Sequence, residues 1–223
     1  MSFMPFAATG IITPIDPDFA NVELLIHADG SDGSTAFVDS SANARSITVN
    51  GAAEMDTAQS VFGGSSLDVS GAGSIRLGST ADLSPGAGDF TIEFRFRTTS
   101  PGSSQNIWDP SGTGGFQVSM YSGDLNVSTR SVGTPISYTG GISADTWYAV
   151  AVTRSGSTLR LFLDGVLVAT TTYTYSYATV GYDIGARNTS DYLRGHIDEF
   201  RFTKGVARYT TNYTIADKPF PDE

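Results

Sequence analysis

Carboxylate side chains are concentrated in one short segment near the start of this 223-residue chain. Asp29, Asp32 and Asp39 follow one another closely, and glycines stand at positions 30 and 33. Ca²⁺ binds carboxylates together with backbone carbonyls of flexible loops, and glycine lets the backbone turn its carbonyls inward. The segment therefore offers the mixture of ligands that a structural calcium ion needs. The alternative is that the three aspartates organise turns through hydrogen bonds to nearby backbone N–H groups.

Acids arranged for catalysis are not evident. A retaining glycoside hydrolase needs two carboxyl groups about 5 Å apart across a cleft, which a strand supplies from closely spaced positions. The chain has five glutamates, and none belongs to such a pattern. Glu93 and Glu199 alternate with arginines, which indicates cross-strand charge pairs. His27 and His196 have no nucleophile motif of the Gly-x-Ser-x-Gly kind nearby, and we predict that the protein is not an enzyme.

Aromatic residues next to polar ones suggest a glycan-binding site at the rim of the fold. Rings provide flat platforms for sugars, and polar neighbours provide hydrogen bonds. The candidates are Trp108, Tyr121, Tyr182 and Tyr192, with Asp183, Arg187, Asn188 and Asp191 nearby in sequence, and the alternating rings of Tyr173, Tyr175 and Tyr177. The alternative is that these rings pack across strands or cover a sheet edge. Trp147 lies within an apolar run and is predicted to be a core residue.

The composition excludes several classes of function. The formal net charge is −10, and nucleic-acid binding would need clustered Lys and Arg. No apolar run approaches the ~18 residues that span a bilayer, and the first ten residues do not resemble a secretory signal. Cysteine is absent, so disulfides cannot hold the ends of the chain together. We expect no nucleic-acid partner and no membrane insertion.

The elements that must position these residues are strands. Residues 90–97 alternate between apolar and polar side chains, which is the period of a half-buried strand. Residues 158–163 and 166–169 are two further runs separated by Asp164-Gly165, a strong signal for a tight hairpin. Many short runs of this kind, divided by Gly and Pro, predict an all-β antiparallel sandwich. Residues 1–20 carry Pro5, Pro14 and Pro17 and are predicted to form an extended arm, with the sandwich and a C-terminal tail over 21–223.

A series of short blocks resembles laminin G-like, concanavalin A-like domains, which are jelly-roll sandwiches. The blocks occur in the family's order and are Glu23–Gly30, Gly33–Ser41, Phe62–Leu67, Gly88–Phe94, Asp145–Tyr148, Leu161–Gly165 and Gly195–Arg201. Residues Thr203–Tyr209, after the last predicted strand, are similar to domains of bacteriophage structural proteins.

The resemblance implies a position for the calcium ion, between the end of the first strand and the last strand. Asp29 and Asp198 would then be carboxylate ligands, with Asp39 or Asp32 as a further one. The alternative for Asp198 is an ion pair with an arginine. The ion would be structural and would join the termini of the sandwich.

The resemblance also implies the function. We predict a non-enzymatic virion structural protein, a capsid decoration, tail or fibre-associated subunit, that displays the sandwich and binds host-surface glycans. It would be made in the host cytoplasm and exposed on the particle exterior as a homo-oligomer. The N-terminal arm would contact other virion proteins, and the alternative is that this segment is a disordered leader. The alternatives are a free carbohydrate-binding module or lectin and, third, a glycoside hydrolase.

Overall fold

A computed structural model describes residues 15–187 and 190–223. Apart from one 3-10 turn at Phe19–Asn21, the regular elements in these ranges are strands. The strands are β1 (Val22–Ile26), β2 (Ile47–Asn50), β3 (Glu54–Asp56), β4 (Ser66–Asp68), β5 (Ser74–Leu77), β6 (Phe90–Thr98), β7 (Gln105–Pro110), β8 (Phe116–Tyr121), β9 (Asp124–Thr129), β10 (Gly133–Tyr138), β11 (Trp147–Ser155), β12 (Thr158–Leu163), β13 (Val166–Thr172), β14 (Tyr182–Ile184) and β15 (Gly195–Lys204).

The strands form two antiparallel sheets packed face to face, which confirms the predicted all-β sandwich. The eight-stranded sheet runs β13-β12-β11-β6-β15-β4-β3, and β1 pairs with part of β15. The seven-stranded sheet runs β10-β9-β8-β7-β14-β5-β2. In the described part of the chain, no helix has the length and apolar character needed to cross a membrane.

The core between the sheets is formed by the apolar residues of the strands in which apolar and polar side chains alternate. Phe90, Ile92, Phe94 and Phe96 of β6 are buried in it, because every second side chain of a strand points to the same face. The rings stack across the two sheets: Trp108 of β7 lies 5.2 Å from Phe200 of β15, measured between ring centroids.

The predicted Asp164-Gly165 hairpin is confirmed. The two residues join β12 to β13 with φ angles of 49° and 78°, the pair of positive values that this two-residue turn requires. Asp164 also accepts a hydrogen bond at Oδ1 from the backbone N–H of Ala149, which fixes the hairpin against β11.

The structure exchanges the roles expected for the two tryptophans. Trp147 is only half-buried, and its ring lies 6.4 Å from His196 on the outer face of the eight-stranded sheet. Trp108 is 1% exposed in the core. The core prediction for Trp147 is therefore wrong, because the neighbouring Tyr148 takes the inward position and packs against Phe96.

The start and the end of the described chain meet on the outer face of the eight-stranded sheet. Asp16 is buried and accepts hydrogen bonds from Arg201 and Arg208 at 2.8 Å, and its N–H donates to the Glu223 carbonyl. Residues 15–20 therefore pack with the sandwich, although they fall inside the predicted arm. The rest of that arm, residues 1–14, lies outside the described residues.

Candidate functional site

The outer face of the seven-stranded sheet carries two parallel rows of polar side chains, which we call the polar face. The first row crosses four strands: Ser137 pairs with Asn126, Asn126 with Ser119, and Ser119 with Asn106. These polar residues stand outside because the alternating positions Val118, Leu125 and Val127 are buried in the core.

The second row runs beside the first across six strands. It consists of Thr48, Arg76, Asp183, Asp109, Gln117 and Ser128. Neighbours within the row bind each other: Arg76 donates two hydrogen bonds of 2.8 Å to Asp183, and Gln117 donates to Asp109 at 2.6 Å. Such pairing fixes side-chain positions, as a site for oriented hydrogen bonding requires.

A groove of about 280 Å³ lies on the polar face. It is lined by Asn106, Gln117, Asn126 and Arg187, and by the ring of Tyr121, which is 65% exposed. The lining therefore combines amide donors and acceptors, one cation and one aromatic surface, which together suit a hydroxyl-rich ligand.

Two carboxylates of the polar face lie opposite each other on adjacent strands. Asp109 and Asp183 are paired residues of β7 and β14, and both are fully buried. Arg130 contacts Asp109 at 2.7 Å, and Arg76 holds Asp183. Burial raises the pKa of Asp109 to about 6 against the opposing effects of Arg130 and Gln117. Because neither carboxylate is exposed and each has an arginine partner, the pair forms part of the structure and is not open to a substrate.

The structure separates the predicted glycan-binding residues. The prediction is wrong for Trp108 and Tyr182, because both rings are buried between the sheets and stack on each other at 4.2 Å. Arg187 is exposed and lines the groove. Tyr192 forms a β-bridge to Asn106 beside it. Asn188 lies outside the described residues.

The residues that sequence reasoning missed are Asn106, Gln117 and Asn126. Gln117 and Asn126 occupy the polar positions of the alternating strands β8 and β9. The signal that identifies them is a polar residue between buried apolar neighbours on adjacent strands. Within a single strand the same alternation indicates only which side faces solvent.

A second site, which we call the acidic cluster, lies where β1 ends beside β15. The Asp198 Oδ2 atom accepts hydrogen bonds from the backbone N–H groups of Val61 and Phe62 at 2.6 and 3.1 Å. The Asp29 carboxylate lies against Gly63, where an added Cβ would overlap it. Asp29 and Asp198, which are far apart in sequence, therefore meet at the same short loop.

The electrostatics of the acidic cluster favour a cation. Burial, together with the charges of Glu199 and Asp29, raises the pKa of Asp198 to about 7. Burial also raises the pKa of Asp29, with Glu199 and Asp222 adding to the shift. The second Asp198 oxygen, Oδ1, is buried and has no hydrogen-bond partner among the described residues. An unpartnered carboxylate oxygen beside a second acid matches the preference of Ca²⁺ for oxygen ligands.

Asp39 and Asp32 do not take part in this cluster. Both Asp39 oxygens accept backbone N–H groups, Oδ1 from Leu25 and Ser41 and Oδ2 from Arg45. Asp32 accepts hydrogen bonds from Thr57. Asp39 therefore organises its loop through backbone hydrogen bonds, which corresponds to the alternative considered for it and not to a metal ligand.

The arginine pairing predicted for the glutamates holds for one of them. Arg201 donates to Glu93 at 2.8 Å across neighbouring strands, as expected. Glu199 instead contacts His27 at 2.8 Å and accepts the N–H of Phe220 at 2.7 Å. Burial alone would lower the pKa of His27, but hydrogen bonds and charge from Glu199 and Asp222 raise it to about 9.

The chain belongs to the concanavalin A-like lectin/glucanases superfamily. The family model matches residues 69–208, which is more than half of the chain. That range contains every strand of the polar face except β2, and it includes β7 and β14, which carry Asp109 and Asp183. A search of curated proteins found no matching relative.

Solved structures share the fold at low sequence identity. Domain 4 of AbnA, an extracellular GH43 arabinanase of Geobacillus stearothermophilus solved with arabinotriose, aligns with a TM-score of 0.66 and 15% identity, over 84% of this chain and 94% of that domain. The binding domain of Paraclostridial Mosquitocidal Protein 1 aligns with a TM-score of 0.62 and 13% identity, over 89% of this chain and 50% of that chain.

A structure of botulinum neurotoxin type C, whose cell entry depends on two ganglioside molecules, aligns with a TM-score of 0.61 and 12% identity, over 92% of this chain and 50% of that one. The present chain thus spans about half the length of the toxin chains that it matches. At these identities the likeness concerns the fold.

Proposed function

We propose that this protein is a non-enzymatic carbohydrate-binding domain that holds its ligand on the polar face. The observation that carries the proposal is the two rows of polar side chains on neighbouring strands, with a groove between the side chains of β7, β8 and β9. Sugar hydroxyls need several donors and acceptors in fixed positions, and side chains on paired strands hold such positions better than loops do. Membership of a superfamily named for lectins and glucanases supports the same class of ligand.

The absence of catalysis is part of the proposal. The two acids within the polar rows, Asp109 and Asp183, are buried and held by Arg130 and Arg76. Glycoside hydrolysis needs two carboxyl groups that flank the scissile bond, and these two have no exposed surface.

Binding of the isolated protein to a broad panel of glycans tests the proposal. Replacing Gln117 by alanine removes a groove amide, and Arg187→Ala removes the exposed cation. We expect each change to weaken binding of the best ligand at least about tenfold, since loss of a hydrogen bond to a charged or buried group costs about 1.5–3 kcal/mol. Titration calorimetry measures the affinity.

Arg160→Ala is the matched control, because Arg160 lies on β12 in the other sheet. It should leave glycan affinity unchanged. A protein that binds nothing across the panel, or whose binding tolerates both groove substitutions, would contradict the assignment.

We further propose that the domain is displayed on the outside of a bacteriophage particle as a homo-oligomer, with residues 1–14 contacting other virion proteins. The support is the similarity of Thr203–Tyr209 to phage structural domains and a cysteine-free composition suited to folding in host cytoplasm. A free carbohydrate-binding module is the alternative, and it needs no particle.

Deleting residues 1–14 distinguishes these two contexts. The deletion should stop before Asp16, because that carboxylate binds the buried Arg201 and Arg208. We expect a folded protein with unchanged glycan binding that no longer joins particles assembled from the remaining virion proteins. Unchanged incorporation into particles would contradict a role for this segment.

We also propose that the acidic cluster binds a structural Ca²⁺ ion, with Asp29 and Asp198 as carboxylate ligands. The unpartnered Oδ1 of Asp198 and the elevated pKa of both acids support it. The ion would neutralise the two carboxylates where the first strand, the last strand and the C-terminal segment meet.

A further inference from the structure

A third group of ionisable side chains lies on the outer face of the eight-stranded sheet. Asp56 of β3, Asp68 of β4 and His196 of β15 each offer one ligand atom, and these three atoms all lie within 4.8 Å of one another. Neither the polar face nor the acidic cluster uses these residues.

The three strands fix the arrangement. His196 and Asp68 are directly paired across β15 and β4, while Asp56 is paired with Ser66 on the other edge of β4. The imidazole reaches across β4, so that Nε2 lies 2.9 Å from Asp56 Oδ2 and 3.9 Å from Asp68 Oδ1.

The Nε2 atom of His196 faces both carboxylates. The residue is 7% exposed, and its other ring nitrogen, Nδ1, is buried with no hydrogen-bond partner among the described residues. A neutral imidazole has one N–H and can satisfy one carboxylate at Nε2. Two acids therefore converge on one nitrogen that can donate a single proton.

The distances suit a divalent transition metal. Zinc binds histidine nitrogen and carboxylate oxygen at about 2.0–2.2 Å in tetrahedral geometry, which places neighbouring ligand atoms about 3.3 Å apart. The observed separations of 2.9 and 3.9 Å lie on either side of that value. Asp56 and Asp68 are partly exposed, so water can reach the remaining coordination position.

We propose that Asp56, Asp68 and His196 form a binding site for a divalent transition-metal ion of the Zn²⁺ class. One imidazole and two carboxylates are a borderline ligand set that favours such ions over Ca²⁺, which prefers six to eight oxygens. The ion would join β3 at the edge of the sheet to β4 and β15, and it would be independent of the calcium ion proposed at Asp29 and Asp198.

Zn²⁺ added to the metal-free full-length protein tests the site. We expect saturable binding of one ion at this site by titration calorimetry and a melting temperature that rises with Zn²⁺ concentration, because a ligand of the native state stabilises it. His196→Gln and Asp68→Asn should each weaken Zn²⁺ binding at least tenfold. Two variants are used so that one failure to fold does not decide the result.

Trp147 gives a local readout. Its ring lies 6.4 Å from that of His196, so Co²⁺ bound at the site should quench Trp147 emission, and Trp147→Phe should remove the quenching without removing the binding. Asp124→Asn is the matched control, because Asp124 lies on β9 of the other sheet and its replacement should keep Zn²⁺ affinity. An unchanged melting temperature with Zn²⁺, or equal Zn²⁺ affinity in the wild type and both site variants, would overturn the proposal.

Discussion

Asp109 is completely buried on the polar face. Its shifted pKa makes the unfolding free energy of the protein depend on pH. Burial raises its pKa to about 6 although Arg130 lies 2.7 Å away. The ordinary value for aspartate is 3.8. Between pH 3.8 and about pH 6, Asp109 is therefore protonated in the native state and ionised in the unfolded state. The contribution of Asp109 to stability is therefore present below about pH 4 and is lost as the pH rises to about 6.

Comparison with Asp109→Asn isolates this effect, because the amide does not titrate. We expect the difference in unfolding free energy, wild type minus variant, to fall by about 2 kcal/mol between pH 4 and pH 6. Urea unfolding at several pH values measures it. A difference that grows with pH would show that Arg130 dominates over burial and that the native pKa lies below the ordinary value.

Arg154 is a buried cation that holds two loops. Its guanidinium donates to the carbonyls of Gly86, Gly88 and Tyr175, and no carboxylate of the described residues lies within ion-pair distance. It also faces the rings of Phe90 and Tyr177 at 5.4 and 5.3 Å. The Gly86 carbonyl also accepts the Tyr177 N–H, so the arginine supplies the donors for the carbonyls of Gly88 and Tyr175.

Arg154→Met should destabilise the protein by about 3 kcal/mol, because it keeps most of the apolar volume and leaves the carbonyls of Gly88 and Tyr175 without their donor. Denaturant midpoints measure the change. Arg160→Met on the neighbouring strand β12 is the control and should stay within about 0.5 kcal/mol of wild type. Equal effects of the two substitutions would refute the role given to Arg154.

Among the elements, the loop Val61–Gly64 positions both acids of the acidic cluster. Gly63 has φ of +59° and contacts the Asp29 carboxylate, whereas Gly64 has φ of +86° and nothing within 4 Å of an added Cβ. The two glycines therefore separate the cost of left-handed backbone from the cost of displacing Asp29.

Gly63→Ala should lower the melting temperature more than Gly64→Ala and should also weaken Ca²⁺ binding. Gly64→Ala should lose only about 1–2 kcal/mol, the price of the left-handed conformation for a residue with a Cβ. Thermal unfolding with and without Ca²⁺ measures both. If the two variants respond alike to Ca²⁺, the contact between Gly63 and Asp29 does not position a ligand.

The strands show how far the sequence determines the site. Strands with clear alternation, such as β6, β8 and β12, follow from residue types alone. β7 does not, because Gln105–Pro110 mixes polar residues and a proline with its apolar ones, and only its central place between β8 and β14 makes it a strand. If β7 is not recognised as a strand, Trp108 is predicted to be exposed. The rows of the polar face cannot be predicted either, because they depend on the register of β7 with its neighbours.

The acidic cluster could be predicted better than the polar face. Asp29 and Asp198 follow from family resemblance, which preserves the order of strands. The sequence does not separate Asp39 from these ligands, because an aspartate that accepts backbone N–H groups and one that binds a metal occur in similar glycine-rich loops. The hydrogen bonds to Leu25, Ser41 and Arg45 distinguish the two roles only in three dimensions.

At the scale of the whole molecule, contacts distant in sequence hold the ends of the described chain together. His27 after β1 contacts Asp222 at 2.8 Å, Glu199 of β15 binds the N–H of Phe220, and Arg201 covers the Phe220 ring at 3.9 Å. Since the chain has no cysteine, these polar contacts stand where small extracellular domains often have a disulfide.

A calcium ion at the acidic cluster would strengthen this junction, and removal of the ion should reveal it. At Ca²⁺ concentrations about a hundredfold above the dissociation constant, binding stabilises the native state by about 2.7 kcal/mol. For a domain of this size that corresponds to a shift of about 5–10 °C in melting temperature. We therefore expect chelation to lower the melting temperature by that amount and re-addition of Ca²⁺ to restore it.

The Asp198→Asn variant distinguishes two explanations of the acidic cluster, a site that binds Ca²⁺ and a buried acid without a metal. Without Ca²⁺ the variant should be at least as stable as the wild type, because the amide carries no charge beside Glu199 and Asp29 and relieves the burial of an unpartnered carboxylate oxygen. With Ca²⁺ the order should reverse, since only the wild type gains stability. Asp124→Asn, on β9 of the other sheet, should keep the full response to Ca²⁺. A wild type that is indifferent to chelation, with Asp198→Asn more stable under every condition, would show that the cluster works without a metal.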